Sequence, residues 1–302
     1  MNYLITGGTG LVGQKLSQLL IDNGHSVSIL SRSAKRDTSV NFFRWDLKND
    51  YVDPEALKNV DCLIHLAGAG IADKKWTSAR RKEIIDSRVN PLSLLAEGFE
   101  EVSEFPKTIV SASAIGIYGF DTGETKLKED SKKGKDFISD VVIQWEKAVD
   151  VFAKKMDCRA VKLRIGIVLD VDGGALPSLA MAVKMGVGSA IGDGQQWLSW
   201  IHVDDLNKMF LVASENRGMS GAFNAVAPNP ARNEEMVNVL AKVLKKPNWA
   251  PKVPGFVLKT ILGSRAQLVL GGNNVSSEKI LDTGFTFEFD NLESALTELY
   301  NS

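Results

Sequence analysis

Met1-Asn2-Tyr3-Leu4-Ile5-Thr6-Gly7-Gly8-Thr9-Gly10-Leu11-Val12-Gly13-Gln14 decides how the chain is read. Tyr3, Leu4 and Ile5 make a short apolar run of the kind a buried strand uses. The run breaks at Thr6-Gly7-Gly8-Thr9-Gly10, and helical periodicity begins at Leu11. Strand, glycine turn and helix N-terminus in that order make a phosphate site. The first N–H groups of the helix have no carbonyl partner, and the peptide dipoles turn their positive end toward the glycines. Gly7 then lets the chain turn, Gly10 lets backbone approach a pyrophosphate, and Gly13 lets the helix lie close on the strand. The spacing differs from the commoner G-x-G-x-x-G fingerprint, so the flanking strand and helix carry the reading.

Residues 10–23 read as the first helix, with Leu11, Leu16, Leu19 and Leu20 as its apolar stripe and Gly24 as its stop. Ser26 to Leu30 alternates as a second strand and ends in Ser31-Arg32-Ser33-Ala34-Lys35-Arg36. In dinucleotide-binding units an acid at this point bonds the ribose hydroxyls of NAD, whereas a base accommodates the 2′-phosphate of NADP. Arg32, with Lys35 and Arg36 behind it and no acid before Asp37, points to NADP(H), because a guanidinium meets a phosphate bidentately. A solvated basic turn is the alternative.

Further strands are expected at 41–44, 62–66, 107–111 and 160–168, alternating with helices at 54–59, 77–102 and 137–156. Asn90-Pro91 predicts a kink or break in the helix at 77–102. Cys62-Leu63-Ile64-His65-Leu66 is the continuous run of a parallel strand buried on both faces, with His65 a packed core histidine. It ends in Ala67-Gly68-Ala69-Gly70, small residues at a strand's carboxyl end, where open α/β sheets hold ligands. The alternation predicts an α/β fold, a doubly wound parallel sheet of Rossmann-like type with a smaller, mostly helical C-terminal substrate lobe. Residues 1–168 would form the nucleotide-binding domain, with 197–228 returning to it, and 169–196 with 229–302 would form the lobe.

Lys and Arg total 36 against 37 Asp and Glu, a net charge of −1, so no global field draws nucleic acid or an anionic membrane. No apolar run approaches the roughly 20 residues that cross a bilayer. The first strand begins at once, which leaves no expectation of a signal or transit peptide. Cys62 and Cys158 stand beside predicted buried strands and read as free thiols in a reducing compartment, so a protein of the cytoplasm or an organelle matrix is expected, with the cytoplasm taken first.

Several motifs together resemble the extended short-chain dehydrogenase/reductases, the superfamily of NAD-dependent epimerases and dehydratases. They are the segment from Thr6 to Gly13, Leu66-Ala67-Gly68-Ala69, Ser111-Ala112-Ser113-Ala114 with Tyr118-Gly119, and Trp200-Ile201-His202-Val203-Asp204-Asp205. A narrower set is Ile71-Ala72-Asp73-Lys74-Lys75-Trp76-Thr77, Ser87-Arg88-Val89-Asn90, Asn229-Pro230-Ala231-Arg232-Asn233-Glu234 and Leu268-Val269-Leu270-Gly271-Gly272. It is similar to an epimerase-like branch of unassigned substrate with a small C-terminal domain. The resemblance implies a cofactor site of Thr6, Gly7, Gly10, Leu11, Val12 and Gly13 at the pyrophosphate and Arg32 at the 2′-phosphate. Asp46 and Leu47 would flank the adenine, and Ala67 and Gly68 the ribose and nicotinamide side. It implies a substrate-polarising Ser113 and, as in many relatives, helices on the sheet face available to form a homodimer.

The chain departs from the superfamily at its general acid/base, a Tyr-x-x-x-Lys pair whose lysine lowers the tyrosine from its usual pKa of about 10. Aligned on Glu146, Ile138 stands at the tyrosine position and Val142 at the lysine position. None of the four tyrosines begins Tyr-x-x-x-Lys. Tyr118 and Ser113 are the candidates for moving a proton, and Lys75 and Arg232 for holding an anionic small-molecule substrate. Two functions follow. One is an NADP(H)-dependent oxidoreductase or epimerase-like enzyme with an atypical proton donor. The other is a non-catalytic NADP(H)-binding regulatory or partner-binding protein.

Overall fold

The computed structural model describes residues 1–32 and 40–301, so Lys35, Arg36 and Asp37 lie outside the described residues. The first part of the chain alternates as β1 (Asn2–Thr6), α1 (Leu11–Asp22), β2 (Ser26–Ser31), β3 (Asn41–Asp46), β4 (Tyr51–Val52), β5 (Cys62–His65), α2 (Ser78–Val102) and β6 (Thr108–Ala114). After the short β7 (Lys126–Leu127) come α3 (Phe137–Lys155), β8 (Arg159–Ile165) and β9 (Ile167–Leu169). They are followed by α4 (Leu176–Lys184), β10 (Trp197–Leu198), β11 (Trp200–His202), α5 (Val203–Glu215) and β12 (Gly221–Ala225). The last part holds β13 (Ala231–Arg232), α6 (Asn233–Val243), α7 (Gly255–Leu262), α8 (Gln267–Leu270), β14 (Asn274–Val275), α9 (Glu278–Leu281) and α10 (Leu292–Asn301).

One sheet takes eight of these strands in the order β12-β8-β6-β5-β1-β2-β3-β4. Every pair in it is parallel except β3 with β4. From β1 the chain winds outward through β2 and β3, then returns to β5 and winds the other way. The reversal opens a crevice at the carboxyl ends of β1 and β5, the switch point of a Rossmann-like α/β fold. All four residues of β5 are buried, as are Tyr3 to Thr6 of β1, which is why their apolar runs are unbroken. Helices cover both faces and seal the core.

Two expectations change. The helix expected to break at Asn90-Pro91 runs through Pro91 from Ser78 to Val102. Burial of Leu92, Leu94, Leu95 and Phe99 on its inner face outweighs the roughly 3 kcal/mol that an interior proline costs. The strand expected at 160–168 is two strands. The chain leaves the main sheet at Gly166, whose N–H still donates to Ala225, and β9 pairs with β11 instead.

A second core gathers Leu169, Leu176, Trp200, Met236, Leu240 and Leu296. The segment after α9 is fastened to the start of α5. The Asp205 carboxylate accepts the N–H groups of Glu288 and Phe289 at 2.8 and 2.9 Å, and the His202 ring meets Glu298 at 3.0 Å.

Packing is tight between α1 and the glycine turn. A Cβ at Gly13 would stand 2.6 Å from both the Gly7 carbonyl oxygen and the Gly8 Cα. Gly13→Ala is therefore expected to lower stability by about 1–3 kcal/mol, as overpacking of a rigid contact does. Urea unfolding checks this, and an unchanged midpoint would mean that α1 can back away from the turn.

Candidate functional site

A cleft of about 430 Å³ opens at the switch point, lined by Gly7 and Gly10 from the turn, Arg32 past β2, Leu47 past β3, and Ala67 and Gly68 past β5. The first bond within α1 runs from the Gln14 N–H to the Gly10 carbonyl. The N–H groups of Leu11, Val12 and Gly13 precede it and face the open end of the helix. Gly10 has no side-chain cap to offer and an ordinary φ of −83°. A Cβ there would meet one protein atom within 4 Å, the Gly7 oxygen at 3.3 Å. That contact is tight and it is with backbone, while no other protein atom comes near, so the bare backbone suits a ligand lying against it.

Asp46 is not among the residues lining this cleft. Its carboxylate accepts from Lys48 N at 3.0 Å and Asn49 Nδ2 at 2.8 Å, and the Asn49 bond leads in holding it below the usual carboxylate range. The wall beside it is made by Trp45 and Leu47. Thr6 is fully buried and works indirectly. Its hydroxyl accepts the Ala67 N–H at 3.3 Å and lies 2.8 Å from His65 Nδ1, while His65 Nε2 lies 3.0 Å from the Arg88 carbonyl. A carbonyl can only accept, so the ring proton sits on Nε2 and the Thr6 hydroxyl donates to Nδ1. This chain fixes Ala67, and with it the floor of the cleft.

Beside it, the Ser113 hydroxyl donates to Glu146 at 2.7 Å. Glu146 is paired bidentately with Arg164 at 2.8 and 3.0 Å. Arg164 donates to the Tyr118 hydroxyl at 3.0 Å, and Tyr118 donates to Asn224 at 2.7 Å. Burial drives the Glu146 carboxyl up, but the Arg164 guanidinium outweighs it and the net lies below the usual range. Burial also raises Tyr118 above the ordinary phenol value, against the pull of Arg164.

The sequence matches the NAD dependent epimerase/dehydratase family over residues 3–225, and residues 253–299 match a domain of unknown function (DUF1731). The chain belongs to the NAD dependent epimerase/dehydratase family. It is 37% identical over 301 residues to the epimerase family protein YfhF of Bacillus subtilis, covering 99% of this chain and 98% of the relative. It is 36% identical over 304 residues to the chloroplastic SDR39U1 homologue of Arabidopsis thaliana, covering 98% of this chain and 86% of the relative. The crystal structure of human epimerase family protein SDR39U1 (isoform 2) with NADPH superimposes with a TM-score of 0.87 at 30% identity, covering 100% of both chains.

Within this family fold, the groups expected to do chemistry have other partners. The Ser113 hydroxyl is turned to Glu146, to which it donates its proton. Tyr118 is 3% exposed with its donor and acceptor both engaged, which makes it a strut of the core. Ile138 packs against Trp76, Ile84 and Val141, and Val142 against Ile117 and Tyr118. The positions of the superfamily's tyrosine and lysine are thus filled with hydrocarbon. Lys75 is exposed on a separate groove of about 230 Å³, facing Thr260 and Leu262. Arg232 stacks 3.5 Å over Trp197 and pairs with Glu124 at 2.6 Å. Neither lines the nucleotide cleft. In sequence Glu146 served only as the anchor of the comparison with the superfamily's acid/base helix and Arg164 only as a strand residue, because their pairing is made by tertiary packing.

Burial holds the His65 imidazole down at about 4 from an ordinary 6.5. Between those values the unfolded chain binds a proton that the folded chain refuses. The His65 contribution is complete above pH 6.5 and is lost as pH falls toward 4, about 3 kcal/mol in all. His65→Gln should flatten this part of the stability profile. Denaturant titrations at about pH 7.5 and about pH 4.5 measure it, and equal slopes in variant and parent would assign the effect elsewhere.

Proposed function

We propose that the chain binds NADP(H) across the switch-point cleft and exchanges hydride with a small carbonyl or alcohol compound, its proton donor differing from the superfamily's tyrosine–lysine pair. The observation that carries the reading is the start of α1 at Gly10, where bare backbone lines the cleft beside three N–H groups that have no helical carbonyl partner. The NADPH held by the human relative supports the cofactor, as does Arg32 on the cleft wall. The N–H groups of Leu11, Val12 and Gly13 would bond the pyrophosphate, and the Arg32 guanidinium the 2′-phosphate. Trp45 and Leu47 would enclose the adenine, with Asp46 shaping the turn that presents them. Ala67 and Gly68, fixed through Thr6 and His65, would support the nicotinamide side. The bound dinucleotide supplies the hydride, and the protein supplies orientation and a dry wall.

One observation favours a second reading, a non-catalytic NADP(H)-binding protein: Ile138 and Val142 occupy the general acid/base positions, and the Ser113 and Tyr118 protons are both committed inward. Both cysteines are free thiols, which supports a reducing compartment, and we place the protein in the cytoplasm. Among the described residues no helix is long and apolar enough to cross a membrane. The face between α2 and α3 carries an apolar groove of about 430 Å³ that includes Leu92, Ala96, Val151 and Phe152, the surface we propose for a homodimer.

Calorimetric titration of the protein with NADPH, NADH and their oxidised forms tests the cofactor. NADPH is expected to bind at least about tenfold more tightly than NADH, a difference of about 1.4 kcal/mol. Gly10→Ala should weaken NADPH by more than about tenfold in a protein that still folds, with the urea midpoint lowered by the tight contact to the Gly7 oxygen. Arg32→Asp should weaken NADPH far more than NADH. Undiminished NADPH binding by Gly10→Ala overturns the cleft assignment, and equal weakening of both cofactors by Arg32→Asp removes Arg32 from it. Loss of NADPH absorbance on addition of small carbonyl compounds separates the enzyme from the non-catalytic reading.

A further inference from the structure

Two of the buried and half-buried arginines, Arg88 and Arg265, have no acid partner among the described residues and donate through Nη1 only. Arg265 bonds the Ala72 carbonyl at 2.7 Å and has its Nε sealed away from solvent, and Arg88 alone of the two packs on a residue of the cleft. Arg80 pairs with Glu83, Arg164 with Glu146, and Arg232 with Glu124. Arg159 has no acid but spends both of its Nη groups on the carbonyls of Ala213, Met219 and Ser214. Among the described residues Arg88 has no carboxylate within ion-pair distance, and only its Nη1 donates, to the Ile84 carbonyl at 2.8 Å and more weakly to Ser87 Oγ at 3.5 Å. Nε and Nη2, the edge that grips two oxygens at once, donate to no described residue. They are also absent from the polar atoms sealed away without a partner, so solvent reaches them.

The position of that edge is fixed. Arg88 follows Ser87, a residue of the cleft wall whose hydroxyl accepts the Ala69 N–H at 2.9 Å. The Arg88 carbonyl is held by His65, and the guanidinium lies 5.1 Å over the Trp145 ring. Its Cζ is 3.0 Å, and its Nε and Nη2 3.2 Å, from where a Gly68 Cβ would stand. Cζ is the nearest of the three, so the guanidinium lays its face on Gly68, whose backbone lines the cleft, and the open edge runs alongside that residue. Burial first, and then the charge of Arg80, lower the guanidinium to about 10, so the fold holds an unneutralised cation at a cost. Val142 leaves this end of the cleft without the superfamily's lysine.

We propose that the Nε–Nη2 edge of Arg88 binds a two-oxygen anion of the substrate, a carboxylate or phosphate group, beside Gly68. The proposal rests on the reading that Gly68 supports the nicotinamide side of the cleft. A planar fork meets such a group with two parallel charge-assisted bonds, which fixes orientation as well as position. Arg88 thereby takes the anion-holding role expected of Lys75 and Arg232, both of which lie elsewhere. The substrate class is a small carbonyl or alcohol compound that also bears an oxyanion, held so that its reacting carbon faces the hydride.

Oxalate and methyl phosphate serve as probes, titrated calorimetrically into the protein with and without NADPH. At least one is expected to bind the parent, oxalate marking a carboxylate substrate and methyl phosphate a phosphorylated one. Arg88→Met should weaken that probe by at least about tenfold, and Arg88→Lys, which keeps the charge without the fork, by an intermediate amount. NADPH affinity should stay within about threefold in both variants. Absence of probe binding by the parent overturns the proposal, as does parent-like probe binding by Arg88→Met. Loss of NADPH and probe together in Arg88→Lys would instead assign the guanidinium to the cofactor and overturn it too. If Arg88→Met fails to fold, Arg88→Lys carries the comparison. The cofactor reading fails separately, through absence of NADPH binding by the parent.

Discussion

The bidentate pair between Arg164 on β8 and Glu146 on α3 ties one half of the sheet to the helix that covers it. Both ions are almost wholly enclosed, where their mutual attraction must offset the loss of hydration of each. The arrangement succeeds because little hydrogen-bonding capacity is left over. Ser113 of β6 fills the remaining capacity of Glu146, while Arg164 reaches Tyr118 and the Glu129 carbonyl. Tyr118 passes the connection to Asn224 of β12, whose amide donates to the Ser276 carbonyl. Three neighbouring strands, a helix and the segment after β14 are thus joined by one polar network inside an apolar core. A fully satisfied network of that kind specifies one arrangement, because a shifted strand would strand a charge.

That network explains the departure from the superfamily. A serine and a tyrosine near the carboxyl end of β6 look like catalytic groups when read along the chain. In the fold they are the outer members of an ion-pair cluster, with their protons committed. Hydrocarbon at Ile138 and Val142 packs where the superfamily carries its tyrosine and lysine. The polar groups that line the cleft include Thr9, Arg32, Glu83, Ser87 and the backbone of Ala67 to Ala69, with the Arg88 guanidinium packed behind Gly68.

The parts legible in the sequence are those set by neighbours along the chain. The β1–turn–α1 unit, the buried run of β5 and the packed His65 all depend on a few consecutive residues, and their periodicity and glycine spacing record them. Pro91 misled because local propensity for a break is smaller than the burial of the helix face around it. Gly166 was missed because the strand on either side of it is equally apolar, while the partner that draws β9 away is β11, far along the chain. Ser87-Arg88 was visible as a motif, but the absence of an acid opposite Arg88 is a property of tertiary packing. So is the partner of Ser113, which comes from another helix.

The fastening of α5 to the end of the chain has a consequence for the order of events during synthesis. The nucleotide cleft draws on residues up to Ser87, and the strands around it are complete by β12. The second core needs Leu292, Ala295 and Leu296, and Asp205 waits for the backbone of Glu288 and Phe289. A nascent chain can therefore assemble its cofactor site well before the lobe beside it closes. During that interval Trp200 and α6 expose apolar surface that the last helix later covers. That surface is buried only once Leu292, Ala295 and Leu296 have been made.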